Sequence, residues 1–454
     1  MWKKVKKYFG NTPSGTSSPD ASGPRIITRS EHNISRANIS PNALKVLYRL
    51  KDNGFQSHLV GGGVRDLLLG REPKDFDVAT DATPEEVRHV FRNCRLIGRR
   101  FRLAHVHFGR EIIEVATFRG PGGGNQKESQ EDASGMLTRD NAYGTIEEDA
   151  LRRDFTVNAL FYNIDDFSVI DYAGGVADLE QGRLRLLGDP EARFKEDPVR
   201  MLRAVRFAAK LGFVIDPECE EMIFEHAHLL EEVPPARLFE EVLKLFMGGV
   251  AVTTFEKMRH YDLFGCLFPE TDDCLAHEDH DFPVTFVLRA MENSDARLRN
   301  NQSISPFFLF AALLWEPTRQ LCEELIAKGE DPVIAMQKAG SEIVSEQVQW
   351  VSIPKRFTLP MREVWNLQHR LTQRNGKRPH KLLTHPRFRA AYDFLLLRAE
   401  AGEIDMELAD WWTKFQRADS STRDSMVKQL NQGSNNGPKR KRRSRRKPAP
   451  SSDE

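Results

Sequence analysis

Two carboxylates whose spacing suits metal-dependent chemistry, Asp75 and Asp77, lie in the segment KDFDV. Phe76 and Val78 alternate with them, and residues two apart on a strand share a face. We therefore predict a strand that presents both carboxylates on one side and packs its apolar side chains on the other. Such a pair suits the magnesium ions of a nucleoside triphosphate, although a solvated strand face would show the same pattern.

A glycine-rich turn precedes this pair and is separated from it by one short predicted helix. Gly61, Gly62 and Gly63 follow the apolar run 58–60, which predicts the end of a strand. The helix predicted over Val64–Leu69 would direct its free N–H groups and positive dipole end toward the glycines. The turn lacks the Lys-Ser/Thr ending of a P-loop. A phosphate-sized nest followed by paired carboxylates nevertheless indicates phosphoryl or nucleotidyl transfer.

A third acidic side chain, Glu114, lies in the second strand of a hairpin predicted over Arg95–Gly120. It is the only charged residue between Glu111 and Arg119, in an otherwise apolar run. A buried carboxylate without a partner is costly. We therefore expect Glu114 to be buried and to face a metal ion or a basic group, and both a site role and a structural ion pair remain open.

Two predicted helices carry most of the remaining candidate residues. The first opens at the capping box Thr145–Glu148 and leads into Arg152, Arg153 and Asp154. Asn158 follows one turn after Asp154 and so shares its face.

The second helix starts at Glu196-Asp197-Pro198 and places Arg200, Arg203 and Arg206 at spacings of three. Such a row is often only a solvated face. The surrounding run MLRAVRFAAKLGF is otherwise apolar, which favours buried arginines that have partners.

Charge and composition restrict the class of protein. The 454 residues contain 66 basic and 66 acidic side chains, but the segment 439–447, KRKRRSRRK, is almost entirely basic. This cationic tail predicts salt-sensitive RNA affinity, with a solubilising or partner-binding segment as the alternative. No apolar run is long enough for a transmembrane helix, and the N-terminus lacks a secretory signal. Five scattered cysteines favour reduced thiols in the cytoplasm.

The residues quoted above resemble the class II nucleotidyltransferase family, which contains tRNA CCA-adding enzymes and bacterial poly(A) polymerases. The resemblance extends over about Asn42–Trp412 and is strongest from Leu59 to Phe213. Its motifs are GGVRDLLLG at 62–70, the aspartates of KDFDV, RRDFTVN at 152–158 and EDPVR at 196–200.

The resemblance implies an α+β fold: a nucleotidyltransferase head with a small mixed or antiparallel sheet, followed by all-α neck, body and RNA-binding domains. We predict a disordered N-terminus (1–40), a catalytic head (41–190), a helical neck that recognises the base (191–265), a helical body with RNA-binding region (266–425) and a disordered basic tail (426–454). Within the body, basic residues between 353 and 389 alternate with aromatics such as Trp365 and Phe388, a pattern that suits single-stranded nucleic acid. An ordinary basic surface would look the same.

The resemblance also implies roles for individual residues. The predicted catalytic residues are Asp75, Asp77 and Asp154. The predicted metal ligands, for two Mg²⁺ ions, are Asp75 and Asp77, with Glu114 as a candidate. The predicted nucleotide-binding residues are Gly62, Gly63, Arg65, Asp66, Arg153, Asn158, Asp197, Arg200 and Arg203. Whether Asp154, which the motif marks, or Glu114 is the third catalytic carboxylate stays open.

Within the family, the segment Leu96–Val106 is similar to the pattern that marks bacterial poly(A) polymerases, and the basic tail is typical of them. We therefore predict template-independent transfer of AMP from ATP to RNA 3′ ends, with RNA, ATP and possible RNA-decay proteins as partners. A tRNA CCA-adding enzyme is the second reading. A non-catalytic RNA-binding adaptor is the alternative from another class, and the presence of every expected carboxylate and motif arginine argues against it.

Overall fold

The structure is a computed structural model that describes residues 23–98, 102–120, 129–131, 137–140, 142–276, 278–279, 282–283 and 285–433. Residues 434–454 of the predicted basic tail and residues 99–101 of the quoted 96–106 segment lie outside the described residues. The chain divides into two compact units. The first comprises Met1–Asp273, Met291–Ser303 and Val348–Ser352, and the second comprises Cys274–Ala290, Ile304–Gln347 and Ile353–Glu454.

The first unit contains an eight-stranded sheet. The unit's first ten strands in chain order, eight of which form this sheet, are β1 (Arg25–Ile27), β2 (Ser57–Val60), β3 (Asp77–Thr80), β4 (Cys94–Ile97), β5 (Leu103–Phe108), β6 (Glu111–Thr117), β7 (Ser129–Glu131), β8 (Leu137–Asp140), β9 (Leu160–Asn163) and β10 (Val169–Asp171). The sheet order is β1-β10-β9-β2-β3-β6-β5-β4, while β7 and β8 pair only with each other. The strands β3 and β6 are parallel neighbours, and the other pairings in the sheet are antiparallel.

Two local predictions for this sheet need correction. Residues 1–40 were predicted to be disordered, but Arg25–Ile27 forms the edge strand β1, because Ile27 is buried and the strand pairs with β10. A short 3₁₀ helix follows at Arg36–Asn38. The hairpin predicted over Arg95–Gly120 contains three strands, since β4 pairs separately with β5.

Several helices of the first unit begin at a residue whose side chain caps them. The helices of this unit are α1 (Pro41–Asp52), α2 (Gly62–Leu68), α3 (Pro84–Val90), α4 (Ile146–Leu151), α5 (Gly175–Gln181), α6 (Pro190–Glu196), α7 (Val199–Leu211), α8 (Pro217–His226), α9 (Pro235–Phe246), α10 (Ala251–His260), α11 (Leu263–Leu267) and α12 (Pro269–Ala276), whose last three residues belong to the second unit. The side chain of Ser40 caps α1, and capping boxes start α3 and α4 at Thr83 and Thr145. The short strands β11 (Arg183–Leu184) and β12 (Val214–Ile215) pair in parallel on either side of α6 and α7 in sequence.

The helix α7 has one apolar side and one side that carries arginines. Met201, Leu202 and Val205 are completely buried in the core, while the arginines occupy the other side. The helix ends at Gly212, whose φ of 73° is the left-handed conformation that favours glycine.

The second unit is almost entirely helical. Its elements are β13 (Glu278–Asp279), β14 (Phe282–Pro283), α13 (Phe286–Arg299, which extends into the first unit), α14 (Pro306–Leu313), α15 (Trp315–Ala327), α16 (Pro332–Trp350, whose end lies in the first unit), α17 (Lys355–Leu371), α18 (Arg378–Leu383), α19 (Phe388–Glu400), α20 (Met406–Arg417) and α21 (Ser420–Gly433). The last helix reaches Gly433, so the predicted disorder is wrong for residues 426–433.

The aromatic residues of the basic region serve the core of the second unit. Trp365 is 1% exposed and its indole N–H donates to the carbonyl of Ala311 at 3.1 Å. Phe388 is also buried and packs against Trp412. These two rings therefore do not form the predicted platform for nucleic-acid bases. The predicted α+β fold class is confirmed, and among the described residues no helix is both long and apolar enough to cross a membrane.

Candidate nucleotide-binding active site

The structure brings the predicted carboxylate pair and the glycine turn together. Asp77 is the first residue of β3, and Asp75 lies exposed just before the strand. Both line one pocket, which we call the glycine pocket, together with Gly61, Gly62 and Gly63. Gly61 has a φ of 71°, and a Cβ at this position would lie 3.4 Å from Nη1 of Arg153. Glycine is thus required by the backbone and leaves room for that guanidinium.

The parallel pairing of β3 with β6 places Glu114 directly beside Asp77 in register. Burial and the neighbouring Glu114 raise the pKa of Asp77 from 3.8 to about 6, with Arg153 opposing the shift and Asp75 adding to it. A cation at this position would relieve the repulsion between the carboxylates. The donor chemistry therefore fits Mg²⁺, which proteins usually bind through one or two carboxylates plus substrate phosphates.

The expectation that Glu114 is buried is wrong. Its side chain is 49% exposed and its Oε1 lies 3.3 Å from Nε2 of His105. The reason is the period of the strand, because the neighbours Ile113 and Val115 face the core and Glu114 faces outward into a second pocket. Among the described residues, no group of three His, Cys, Asp or Glu side chains is preassembled to hold a metal ion.

Asp154 is bonded to protein donors through both carboxylate oxygens. Oδ2 forms an ion pair with Arg203, whose Nε lies 2.9 Å away. Oδ1 accepts from the side chain of Asn158 at 3.1 Å and from the amide of Phe155 at 2.8 Å. Burial alone would raise the pKa of Asp154, but the Arg203 charge and these donors outweigh it and the pKa is lowered. Asp154 therefore holds other side chains in place.

Three further predicted residues continue this network under the glycine turn. Arg65 is 2% exposed, and it donates from Nε to Asp66 at 2.8 Å and from Nη1 to Asn158 at 2.7 Å. Asn158 in turn bonds Asp154. The buried chain Asp66–Arg65–Asn158–Asp154–Arg203 thereby connects α2, the segment after α4, and α7, and it fixes their relative positions.

The second pocket, which we call the neck pocket, contains the EDPVR motif. It is lined by Glu114, Asp197 and Arg200, among others, and it shares Asp77, Arg153 and Arg203 with the glycine pocket. The three shared residues therefore lie where the two pockets meet. A ligand that extends from one pocket into the other passes these side chains.

Asp197 is oriented by a residue that the sequence analysis did not identify. Its Oδ2 accepts from Nη2 of Arg237, on α9, at 2.7 Å. Its Oδ1 is buried and has no hydrogen-bond partner among the described residues. Arg237 lies forty positions along the chain, so no local pattern could have marked it.

A second unpredicted residue, Arg193 on α6, holds the motif arginines. Its Nη2 donates to the backbone carbonyls of Arg152 and Arg153 at 2.7 and 2.8 Å. Its Nη1 lies 2.6 Å from Glu196, which also accepts from Arg200 at 2.8 Å. Arg193 therefore ties the two predicted motifs into one unit. Its position before the EDPVR motif was a weak signal at most.

Known proteins resemble this chain in sequence and in fold. Three family models match: "Poly A polymerase head domain" over residues 57–185, "Probable RNA and SrmB- binding site of polymerase A" over 212–275, and "Polymerase A arginine-rich C-terminus" over 328–447. Two solved structures show the same fold: a tRNA-processing enzyme at 21% identity covers 87% of this chain and 99% of its own, with a TM-score of 0.58. A CCA-adding enzyme with CTP, at 20% identity, covers 89% and 94%, with a TM-score of 0.55. The fold is that of a nucleotidyltransferase.

Sequence relatives narrow the class further. Poly(A) polymerase I of Salmonella typhi is 50% identical over 432 residues, which cover 94% of this chain and 92% of the relative. The Haemophilus influenzae protein of that name is 45% identical over 89% and 90%. A CC-adding tRNA nucleotidyltransferase of Halalkalibacterium halodurans, at 40% identity, matches 45% of this chain and 48% of its own. The chain belongs to the poly(A) polymerase I family, and the predicted resemblance is confirmed.

Proposed function

We propose that this chain transfers AMP from ATP to the 3′ end of RNA without a template, through the site at which the two pockets meet. As a member of its family the chain is a polynucleotide adenylyltransferase. The observation that carries the site assignment is the position of Asp77, which lies beside Glu114 in register and faces both the glycine turn and the EDPVR motif. The match to a poly(A) polymerase covers 94% of this chain, whereas the match to a CCA-adding enzyme covers 46%, and this difference favours adenylate addition.

The adenine base lies in the neck pocket in this proposal. The free Oδ1 of Asp197 accepts from the 6-amino group, and Arg200 donates to a ring nitrogen. Both side chains are held by protein partners, Asp197 by Arg237 and Arg200 by Glu196 and the carbonyl of Arg193. A preorganised acceptor and donor select one base without a template because a base with the reverse pattern would leave buried polar groups unpaired.

The triphosphate passes the shared residues and enters the glycine pocket. Arg153 and Arg203 lie at the junction, where they can stabilise charge on the α-phosphate. Gly62 and Gly63 allow the backbone to approach the phosphates. Arg65, Asp66 and Asn158 act by positioning, since the guanidinium of Arg65 is already bonded to both of the other two.

Asp75 and Asp77 would hold Mg²⁺. Glu114 would be the third carboxylate instead of Asp154, because Asp154 already forms an ion pair with Arg203. When bound, two such ions would lower the pKa of the attacking hydroxyl and neutralise the leaving pyrophosphate. The RNA 3′-oxygen forms the new bond to the α-phosphorus as the bond to pyrophosphate breaks. The chain's own contribution is to align these groups and to exclude competing bases.

A single assay separates the candidate functions. The purified chain is incubated with MgCl₂, either a generic RNA or a tRNA that lacks its CCA end, and either ATP alone or CTP with ATP. Long adenylate tails support the proposal, a CCA terminus on tRNA alone supports the CCA-adding alternative, and no incorporation supports a binding protein. Asp77→Ala should abolish transfer while RNA binding persists, and Asp52→Ala, at the exposed end of α1, is the matched control. Extension of RNA by Asp77→Ala would disprove the site.

RNA contacts outside the site are proposed for the basic tail. Deletion of residues 439–454 should lower the salt dependence of RNA binding, because each neutralised phosphate releases counterions. An unchanged salt slope would exclude the tail from RNA binding. RNA-decay proteins as partners and a cytoplasmic location remain proposals, the latter supported by five free cysteines.

A further inference from the structure

A third pocket of the first unit lies on the other side of the segment that carries Asp75 and Asp77, and we call it the rear pocket. The two aspartates line the glycine pocket, whereas Phe76 between them lines the rear pocket. The helix α2 is divided in the same way, because Asp66 lines the glycine pocket and Leu67 lines the rear pocket. The proposed reaction uses no residue that lines the rear pocket.

The rear pocket has the size and the lining of a small-molecule site. Its volume is about 530 Å³, and such sites usually enclose about 300–1,000 Å³. The only charged side chains among its described lining residues, Arg71 and Glu72, have opposite signs, so the lining has no net charge. Half of the twelve described lining residues are apolar: Ala37, Ile39, Pro41, Leu67, Pro73 and Phe76. This composition favours a neutral ligand that is largely apolar.

Residues 33–41 contribute one wall of the rear pocket, and protein contacts hold this wall at both ends. His32 precedes the wall, and its Nε2 lies 2.9 Å from the carbonyl oxygen of Phe167. At the other end, the hydroxyl of Ser40 donates to the carboxylate of Glu111. The wall is therefore positioned by the rest of the first unit and needs no ligand to hold it.

Residues 67–76 contribute a second wall, which is held by Arg71. The amide of Arg71 donates to the carbonyl of Asp66 at 2.8 Å. Its guanidinium donates to the carbonyls of Lys210 and Leu211, at the end of α7, at 3.3 Å each. Because both walls are fixed, a ligand would enter a preformed pocket and would not have to order the chain.

One acceptor in the first wall has no partner. The side chain of Asn33 donates from Nδ2 to the carbonyl of Leu68, at the end of α2, at 3.3 Å. Its Oδ1 is buried and has no hydrogen-bond partner among the described residues. A buried acceptor without a donor is destabilising and calls for a partner. A donor on a ligand in the rear pocket would supply that partner.

We propose that the rear pocket binds a neutral, planar heteroaromatic molecule of one or two fused rings that carries an N–H donor. The ring packs against Phe76 and Leu67, since an aromatic pair gains more than its buried area alone provides. The N–H donates to Oδ1 of Asn33. The ligand contacts the segment 70–76 from the side away from the glycine pocket, so it does not occupy the nucleotide site. This site is independent of the reaction proposed above.

Indole tests the proposal because it is neutral and planar and has a single N–H, and 1-methylindole is the matched ligand without that donor. Ligand-observed NMR titrations of the full chain should give a dissociation constant of about 1 mM for indole. Binding of 1-methylindole should be about tenfold weaker. Asn33→Leu should bind both ligands equally. The control is Asn53→Leu, because Asn53 also donates from Nδ2 to a carbonyl at a helix end, that of Arg49 at 2.8 Å, but lies outside the pocket.

Three results would overturn the assignment: no binding of indole to the wild type, equal binding of indole and 1-methylindole to the wild type, or a preference for indole that persists in Asn33→Leu. Should Asn33→Leu fail to fold, Ala37→Trp carries the test, since Ala37 is exposed and lines the pocket. Ala37→Trp should abolish indole binding and leave the affinity for ATP with MgCl₂ unchanged. Retained indole binding, or an equal loss of ATP binding, would contradict a separate rear site. A wild-type chain that binds indole as described but never extends RNA would refute the proposed function and not this site.

Discussion

Replacing Asp77 with Asn should make the ligand-free first unit more stable while abolishing its activity. The pKa of Asp77 rises from 3.8 to about 6 on folding, because of burial and of the adjacent Glu114. At about 1.4 kcal/mol for each tenfold change in proton affinity, this corresponds to about 3 kcal/mol of destabilisation by the ionised carboxylate. Asn keeps the shape and removes the charge, at the loss of an attraction to Arg153.

The effect has a defined pH dependence. A carboxylate whose pKa is higher in the folded state binds more protons there, so stability falls as pH rises from about 4 to about 6. Above that range the folded protein carries the whole cost of the charge. The gain from Asp77→Asn should therefore approach about 3 kcal/mol at pH 8 and vanish near pH 4.

The free energy of local unfolding of the sheet around Asp77 is the quantity to measure. Hydrogen exchange of the amides in β3 and β6, in EDTA, reports on the sheet without requiring that both units unfold together. Asp75→Asn is the matched comparison, because it removes a charge from the same pocket at an exposed position and should give a smaller gain.

Equal stability of wild type and Asp77→Asn at pH 8, or a gain of the same size at pH 4, would refute the reasoning. MgCl₂ with ATP should then stabilise the wild type far more than the variant, since only the wild type retains the Asp77 carboxylate that would bind Mg²⁺. If Asp77→Asn is both more stable and inactive, then Asp77 serves metal and nucleotide binding and lowers the stability of the ligand-free fold.

Three other predictions each concern the replacement of one residue. Arg193→Met removes the donors to two backbone carbonyls, and kcat/KM for ATP should fall about ten- to a hundredfold in steady-state kinetics while RNA affinity in filter binding stays constant. Gly175→Ala would place a Cβ 2.2 Å from the carbonyl oxygen of Thr156, so thermal unfolding should show a loss of about 3 kcal/mol or more, and an unchanged Tm would contradict the packing. Tyr261→Phe removes a 2.7 Å hydrogen bond to Glu220 and should cost about 1 kcal/mol in urea unfolding, with a null effect showing that water replaces the contact.

Local patterns predicted the elements that depend on neighbours in the sequence. Thr145 and Glu148 predicted a capping box, which is present at the start of α4. The apolar side of α7 is buried as its periodicity predicted. These predictions succeed because a cap or a helical face is decided by residues within about one turn of each other.

Predictions that required long-range contacts succeeded less well. Glu114 was expected to be buried and to face a metal ion or a basic group, but its side chain is 49% exposed and lies beside His105. Trp365 and Phe388 were considered for a nucleic-acid surface, with an ordinary basic surface as the alternative, but helices of the second unit bury both rings. The edge strand β1 was missed, because a strand of three residues is stabilised mainly by its pairing with β10.

The sequence alone determined the set of carboxylates and arginines available for chemistry, and the resemblance of its motifs to a known family implied the α+β fold class. Only the tertiary structure decided which of these side chains are already paired with another charged side chain of the protein. The pairing of β3 with β6 places Glu114 beside Asp77, and the approach of α7 to the segment after α4 commits Asp154 to Arg203. The physical reason is that an ionised side chain is defined by the charge nearest to it in space, and that neighbour is often distant along the chain.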